Sequence, residues 1–268
     1  KNVLENLLAY GFVGRIFPIN PKANEILGIK TYATIKEVPE EIDLAVILTP
    51  RSAVPASIEE CGEKGIEAGI VVAQGFADAT DEEGKNLQDK IVKIAKEKGI
   101  RIIGPNSFGV GNGFINLNTG FDSFELEKSP VASIGQTGFV FTLMSQVPVG
   151  KAIDLGNACD VGFADALEYF KEDAEVKVIL LYIEGLREDG NRFLKIARET
   201  AKKKPILALR GGKTEEGVKI VQSHTGSLAG KNEVWRAALR HNGIIEVEDL
   251  EESEDLVRAF LHFFCRQQ

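Results

Sequence analysis

Residues 44–73 read LAVILTPRSAVPASIEECGEKGIEAGIVVA, and the two apolar runs at its ends, with a helical pattern between them, decide the fold. Leu44–Leu48 and Gly69–Ala73 are short, apolar and without period-two alternation, as strands of a parallel sheet covered on both faces are. Ala53–Lys64 has the apolar spacing of an amphipathic helix, the crossover that a parallel pair requires. Outward from this unit the alternation continues. Lys1–Tyr10 predicts a helix and Arg15–Ile19 a strand on one side; Asp81–Lys98 predicts a helix and Ile100–Ile103 a strand on the other. A polar, Gly- and Asn-rich stretch from Gly109 to Pro130 then breaks the rhythm and places a domain boundary near residue 120. Beyond it, strands are expected at Val131–Ile134, Ala152–Leu155, Lys177–Glu184, Pro205–Arg210 and Ile244–Val247. Helices are expected near Val161–Phe170, Asn191–Lys203, Lys231–Arg240 and Glu252–Phe264. The expectation is α/β throughout, with domains at 1–120 and 121–268.

Composition narrows the function classes. The chain has 268 residues, 44% apolar and 27% charged, with a mean hydropathy of -0.05. Length alone suits about two domains of roughly 150 residues. No apolar run approaches the roughly 18 residues of a membrane span, and the apolar content is too high for a disordered chain. A formal net charge of -8 gives a field that repels nucleic acid and anionic lipid, so neither is expected as a partner. Any anionic ligand must be held by local dipoles or a few placed cations. Cys61, Cys159 and Cys265 are an odd set without metal-ligand spacing, which points to a reducing, cytoplasmic setting, to no disulfide scaffold and to no metal site. The opening residues lack the charged start and long apolar core of a secretory signal.

The richest stretch for chemistry is Val221–Gly230, VQSHTGSLAG, between the strand at Pro205–Arg210 and a helix. Small residues around His224 let backbone amides approach a bound group, and Thr225, Gly226 and Ser227 can present N–H groups as an anion site. An imidazole there can accept a phosphoryl group, being partly neutral near pH 7 and nucleophilic at nitrogen. The plain alternative is a histidine that caps a helix or lines a loop; His241 and His262, inside helical patterns, are read as structural. Glu184 closes the strand KVILLYIE and is followed by Gly185. A carboxylate at the carboxyl end of a parallel strand can hold the unreacted ring nitrogen of His224. Gln136, Thr137 and Gly138, in IGQTGF, form a second potential anion-binding turn. In the first half, strand ends carry Pro21 and Lys22 (FPINPK), Thr49, Pro50 and Arg51 (ILTPRS), Gln74 and Gly75 (VAQGF) and Asn106 (IGPNSFG). That clustering suits a nucleotide-like ligand across the strand tips, with Lys22 and Arg51 for phosphates.

Taken in order, NPK, ILTP, AQGF, GPNSFG, GQTG, LGNACDVGFAD, LYIEG, RGGK and SHTGSLAG resemble the α subunit, or α-like half, of the ADP-forming acyl-CoA synthetases, relatives of the succinyl-CoA synthetase α subunit. The resemblance spans nearly the whole chain. It implies an N-terminal Rossmann-like CoA-binding domain, its first strand missing here because the chain opens inside the helix that follows, and then a flavodoxin-like domain. It implies that His224 is phosphorylated and that Glu184 supports it. The implied reaction interconverts acyl-CoA, ADP and phosphate with a carboxylic acid, CoA and ATP. The implied cofactors are coenzyme A, phosphate, and ADP or ATP with Mg on an ATP-grasp β subunit or domain, since no GxxxxGK[ST] loop occurs here. A hetero- or homo-oligomer is expected. The chain departs from the family at Gly135-Gln136-Thr137-Gly138, where Ser-Gln-Ser-Gly is usual, and at Asn106-Ser107, where Asn-Cys is usual. The stretch between Gly138 and Leu155 is also shorter than the family pattern. These departures keep a second reading in play, a CoA-binding regulatory module without turnover. An NAD-linked oxidoreductase is disfavoured because no GxGxxG follows a strand.

Overall fold

The computed structural model describes residues 2–79, 81–122, 126–138, 147–212 and 232–265. The first domain contains α1 (Asn2–Ala9), a short antiparallel ribbon of β1 (Glu25–Ile26) and β2 (Ile29–Lys30), then β3 (Ala45–Ile47), α2 (Val54–Glu63), β4 (Ala68–Val71), α3 (Glu82–Lys98) and β5 (Arg101–Ile103). Strands β3, β4 and β5 pair in parallel and in sequence order, as the 44–73 stretch predicts. The crossover α2 begins with Pro55 in its first turn, where the missing N–H costs nothing. Helix α3 starts on the Asp81 side chain, which accepts from Gly84 N, and ends at Gly99 with φ 73°. Both helices bury one stripe on the sheet: Val54, Ile58, Ile91 and Ala95 pack with Ile47, Val71 and Ile102.

The expected strand at Arg15–Ile19 does not form. Only Ile19 bridges, to Tyr32, in parallel. Pro18 accepts from Tyr32 N through its carbonyl but has no N–H of its own to extend a ladder.

The second domain contains β6 (Val110–Asn112), β7 (Leu117–Asn118), β8 (Val131–Gly135), β9 (Lys151–Asp154), α4 (Phe163–Glu172), β10 (Val178–Ile183), α5 (Gly190–Ala201), β11 (Ile206–Arg210), α6 (Asn232–His241), β12 (Ile244–Val247) and α7 (Leu250–Cys265). Its seven-stranded sheet runs β12-β11-β10-β8-β9-β6-β7. The five strands β8 to β12 are mutually parallel, and β6 and β7 are antiparallel additions at one edge. Counted from β8 as first, the parallel order is 2-1-3-4-5, the flavodoxin-like winding. Both faces are covered: Ile134, Leu181, Ile183, Phe163, Phe170 and Phe193 pack on one side, and Val131, Val178, Leu180, Leu207 and Val257 on the other.

A backbone seam joins the two domains. Residues 154–161 run beside residues 102–109: Val161 N donates to Ile102 O (3.2 Å), Cys159 N to Gly104 O (3.1 Å), Asn157 N to Pro105 O (2.8 Å) and Asp154 N to Gly109 O (3.0 Å). Side chains lock the same seam. Asp160 accepts from Ile102 N (2.8 Å) and Arg101 Nε (3.0 Å), and Asn157 Nδ2 donates to Asp78 (2.8 Å) and Gln88 (2.9 Å) of the first domain. Gly156, with φ 53°, lies so close to the 105–106 backbone that a Cβ there would sit 2.3 Å from Pro105 O.

Candidate functional site

Parallel strands place their carboxyl ends side by side, and the loops beyond those ends gather the polar residues. In the first domain, Thr49, Pro50 and Arg51 follow β3, Gln74 and Gly75 follow β4, and Asn106 follows β5. The structure brings Arg51 and Gly75 together: Arg51 Nη1 donates to Gly75 O at 2.6 Å. The same guanidinium is held by Asp81 (3.2 Å) and Glu83 (2.9 Å) and is 30% exposed. It is therefore pre-oriented, and an anion arriving there competes with two exposed carboxylates. Thr49 Oγ1 lies 3.3 Å from Ser57 Oγ. Gln74 is exposed. Asn106, with φ 59°, donates through its backbone N–H to Ala73 O (2.9 Å). Lys22 is exposed, and its backbone N–H donates to Asn20 Oδ1 at 2.9 Å; it and Pro21 lie ahead of the ribbon rather than at a tip of the three-stranded sheet.

In the second domain the winding direction reverses between β8 and β10, which opens a crevice at their carboxyl ends. Gln136 and Glu184 occupy it. Gln136, 1% exposed, uses Oε1 to accept from both Glu184 N and Gly185 N, each at 2.9 Å. The amide thus pins the turn that carries Glu184. Its Nε2 is buried and has no hydrogen-bond partner among the described residues. Thr137 and Gly138 follow, half-buried, in the same turn. Glu184 is 7% exposed, and the Tyr182 hydroxyl hydrogen-bonds its carboxylate; burial and this neighbour push the Tyr182 phenol up to about 12.

On the far side of β8, Asp154 ends β9, 1% exposed. Its Oδ2 accepts from Phe108 N (2.6 Å) and its Oδ1 from Gly156 N (3.1 Å). Burial raises its carboxyl to about 7 against the pull of those two N–H donors, with the charge of Glu184 adding to the rise. Sequence reasoning missed Asp154 and Tyr182. The available signal was that Asp154 closes an apolar strand just as Glu184 does.

Across β10, Ile183 pairs with Arg210 in register, and Gly211 N donates to Ile183 O at 2.9 Å. The buried Arg210 guanidinium lies 4.9 Å from the centre of the Trp235 ring, donates to Asn232 Oδ1 (3.2 Å) and faces Glu246. His224, Thr225, Gly226 and Ser227 lie outside the described residues. Among the described residues no cluster of His, Cys, Asp or Glu is built to hold a metal ion, and no helix is long and apolar enough to cross a membrane.

Sheet order and switch point define a two-domain α/β protein, with a three-stranded parallel sheet in the first domain and a flavodoxin-like parallel sheet in the second. The profile described as a CoA binding domain matches residues 1–113, and that of the succinyl-CoA ligase-like flavodoxin domain matches residues 128–260. The chain belongs to the family of the ADP-forming acyl-CoA ligase α chains. It is 44% identical over 255 residues, 93% of its length and 36% of the relative's, to an acetate–CoA ligase (ADP-forming) of Methanocaldococcus jannaschii. It is 38% identical over 267 residues, 96% of its length and 57% of the relative's, to the α subunit of acetate–CoA ligase (ADP-forming) I of Pyrococcus furiosus. The structure of the dinucleotide-forming acetyl-coenzyme A synthetase 1 of Candidatus Korarchaeum cryptofilum, in complex with phosphate and ADP, superposes with a TM-score of 0.87 at 32% identity, covering 97% of this chain and 57% of that one. The chain spans between about a third and three-fifths of the length of these relatives.

Proposed function

We propose that this chain is the CoA-binding and phosphoryl-carrying part of an ADP-forming acid–CoA ligase. The carrying observation is the Gln136 clamp, which holds the Glu184 turn at the switch point of the sheet. In sequence, His224 falls between Gly212, just past the tip of β11, and Asn232, whose side chain is bonded to Arg210. Arg210 pairs with Ile183, the residue before Glu184.

The reaction runs in three substitutions. A phosphate oxygen attacks the thioester carbonyl carbon and CoA leaves as its thiolate, giving an acyl phosphate. A ring nitrogen of His224 attacks phosphorus, the bond to the acyl oxygen breaks, and the carboxylate leaves. The phosphoryl group then passes from that nitrogen to the β-phosphate oxygen of ADP, giving ATP. In this reading Glu184 accepts from the other ring nitrogen and fixes the tautomer. Gln136 Nε2, the turn at Thr137 and Gly138, and the N–H groups of Thr225, Gly226 and Ser227 hold the phosphate oxygens. The strand tips bearing Thr49, Pro50, Arg51, Gln74, Gly75 and Asn106, with Pro21 and Lys22, receive CoA. An ATP-grasp β subunit or domain supplies the Mg-nucleotide, and the small carboxylic acid binds at the shared site. Cys61 and Cys159, both unpaired, fit a cytoplasmic setting.

The test is phosphorylation of the chain by labelled ATP in the presence of an ATP-grasp partner from a relative. An acid-labile, base-stable label that His224→Asn abolishes supports the proposal. An undiminished label in that variant removes His224 from the mechanism, and CoA binding without any label favours a regulatory module.

A further inference from the structure

The tip loop after β4 passes through Gly75, Phe76, Ala77 and Asp78, and side chains gather its backbone N–H groups. Asp78 Oδ2 accepts from Gly75 N (2.9 Å) and Asp78 Oδ1 from Phe76 N (3.0 Å). Gln88 of α3 accepts from Ala77 N through Oε1 (3.4 Å). With its amides clamped in this way, the loop offers the Gly75 carbonyl to Arg51, whose Nη1 donates to it at 2.6 Å. The approach is close: a Cβ on Gly75, whose φ is 90°, would lie 3.0 Å from Arg51 Cδ.

One side chain of the second domain ties both acceptors of this loop. Asn157, in the turn after β9 and 0% exposed, donates through Nδ2 to Asp78 Oδ1 (2.8 Å) and to Gln88 Oε1 (2.9 Å). Both oxygens already accept from a backbone N–H of the loop, so the amide must turn its nitrogen to them. Asn157 is itself fixed by the seam: its backbone N–H donates to Pro105 O (2.8 Å), and Gly156 before it is pressed against the 105–106 backbone. Asparagine suits the place because one uncharged nitrogen supplies two donors, whereas an aspartate would set a carboxylate against Asp78. The other holders of Arg51 are Asp81 and Glu83, both exposed, and ion pairs in water hold weakly. When an anion displaces them from the guanidinium, Gly75 O is the fastening that stays among the described residues.

We propose that Asn157 is a positioning residue for CoA binding: from the second domain it steadies the Asp78 clamp, and through Gly75 the clamp aims Arg51 at a phosphate of CoA. This rests on the reading above that the strand tips of the first domain receive CoA. The CoA site is then completed across the domain seam, by a residue that acts through the Gly75 turn and Arg51.

Titration calorimetry with CoA on the full chain tests this through a double-mutant cycle of Asn157→Ala and Arg51→Ala. Asn157→Ala should raise the CoA dissociation constant about five- to tenfold. In the Arg51→Ala background the same substitution should change it by less than about twofold, because no guanidinium is left to aim. Equal factors in the two backgrounds overturn the inference, since a merely loosened loop would weaken CoA alike with or without Arg51. An Arg51→Ala chain that binds CoA as tightly as wild type overturns it too. Asp78→Asn cuts the same chain of contacts one link further on, should show the same dependence on Arg51, and decides the matter if Asn157→Ala does not fold. Amide hydrogen exchange without ligand reads the clamp by itself: Gly75 and Phe76 should exchange faster in Asn157→Ala than in wild type, and unchanged rates overturn the inference. A wild-type chain that binds no CoA while the variant shows that faster exchange overturns the CoA reading. CoA binding with equal factors in both backgrounds overturns this inference alone.

Discussion

Gln136→Ala is the sharpest probe of how the candidate site is assembled. The native side chain is 1% exposed, and its single oxygen accepts from two buried backbone N–H groups, Glu184 N and Gly185 N, at 2.9 Å each. Alanine removes the acceptor and leaves both donors in a dry crevice. An orphaned buried donor costs about 1–3 kcal/mol, so two cost roughly 2–6 kcal/mol. A water entering the space vacated by the amide restores part of this, which puts the expected loss at about 3 kcal/mol. For a chain of this size that is a fall in melting temperature of about 6–12 °C, at roughly 2–4 °C per kcal/mol. Thermal melting and amide hydrogen exchange read the two halves of the argument, the first the energy and the second its location. Glu184 and Gly185 should lose protection faster than the centre of β10. A melting temperature within about 2 °C of wild type, with exchange at 184 and 185 unchanged, would refute the clamp.

Two further predictions concern the seam between the domains. Gly156→Ala puts a Cβ 2.3 Å from Pro105 O at a φ of 53°; the left-handed conformation alone costs about 1–2 kcal/mol, and the clash displaces the 105–106 backbone. Denaturant unfolding should show a loss of at least about 2 kcal/mol, and a change below 0.5 kcal/mol, roughly the spread at surface sites, would contradict the close approach. Asp160→Ala removes the acceptor for Ile102 N and Arg101 Nε and should cost about 1–3 kcal/mol. Limited proteolysis should then cut between the domains sooner than in wild type.

Much of the architecture was legible from local pattern. Leu44–Leu48 and Gly69–Ala73 could be assigned to a parallel sheet because strands covered on both faces show unbroken apolar runs, and β3 and β4 lie where those runs stand. Where the local pattern was weak, the reading failed. Arg15–Ile19 carries the residue types of a strand, but Pro18 denies it a ladder, and only the Ile19–Tyr32 bridge remains. The Gly109–Pro130 stretch, read as the interval between domains, also holds β6 and β7, which no pattern announced and which join the large sheet through antiparallel pairing of β6 with β9. Strands of three and two residues are too short to show a period, and their stability comes from a partner distant in sequence.

The candidate site divides the same way. Strand ends are visible in sequence, so Gln136 and Glu184 could be picked out as polar residues closing apolar runs. That one amide would bond both backbone N–H groups of the other residue's turn could not be read, because the contact spans 48 positions of chain and depends on β10 lying directly beside β8. Asp154 shows the limit more plainly. By itself it is an acid closing the short strand KAID, a signal that marks a strand tip but does not tell a buried aspartate from an exposed one. Its chemical character comes from burial and from two amides contributed by the 104–109 loop and the turn at Gly156, with the charge of Glu184 also acting on it. Local periodicity and composition determined the class of fold and the residue types available at each strand tip, and the ordered motifs carried the resemblance to the family. Which tips meet, and what dielectric and charge they meet in, was decided only by the order in which the strands pack, since solvation and Coulomb energies depend on distances that no stretch of sequence contains.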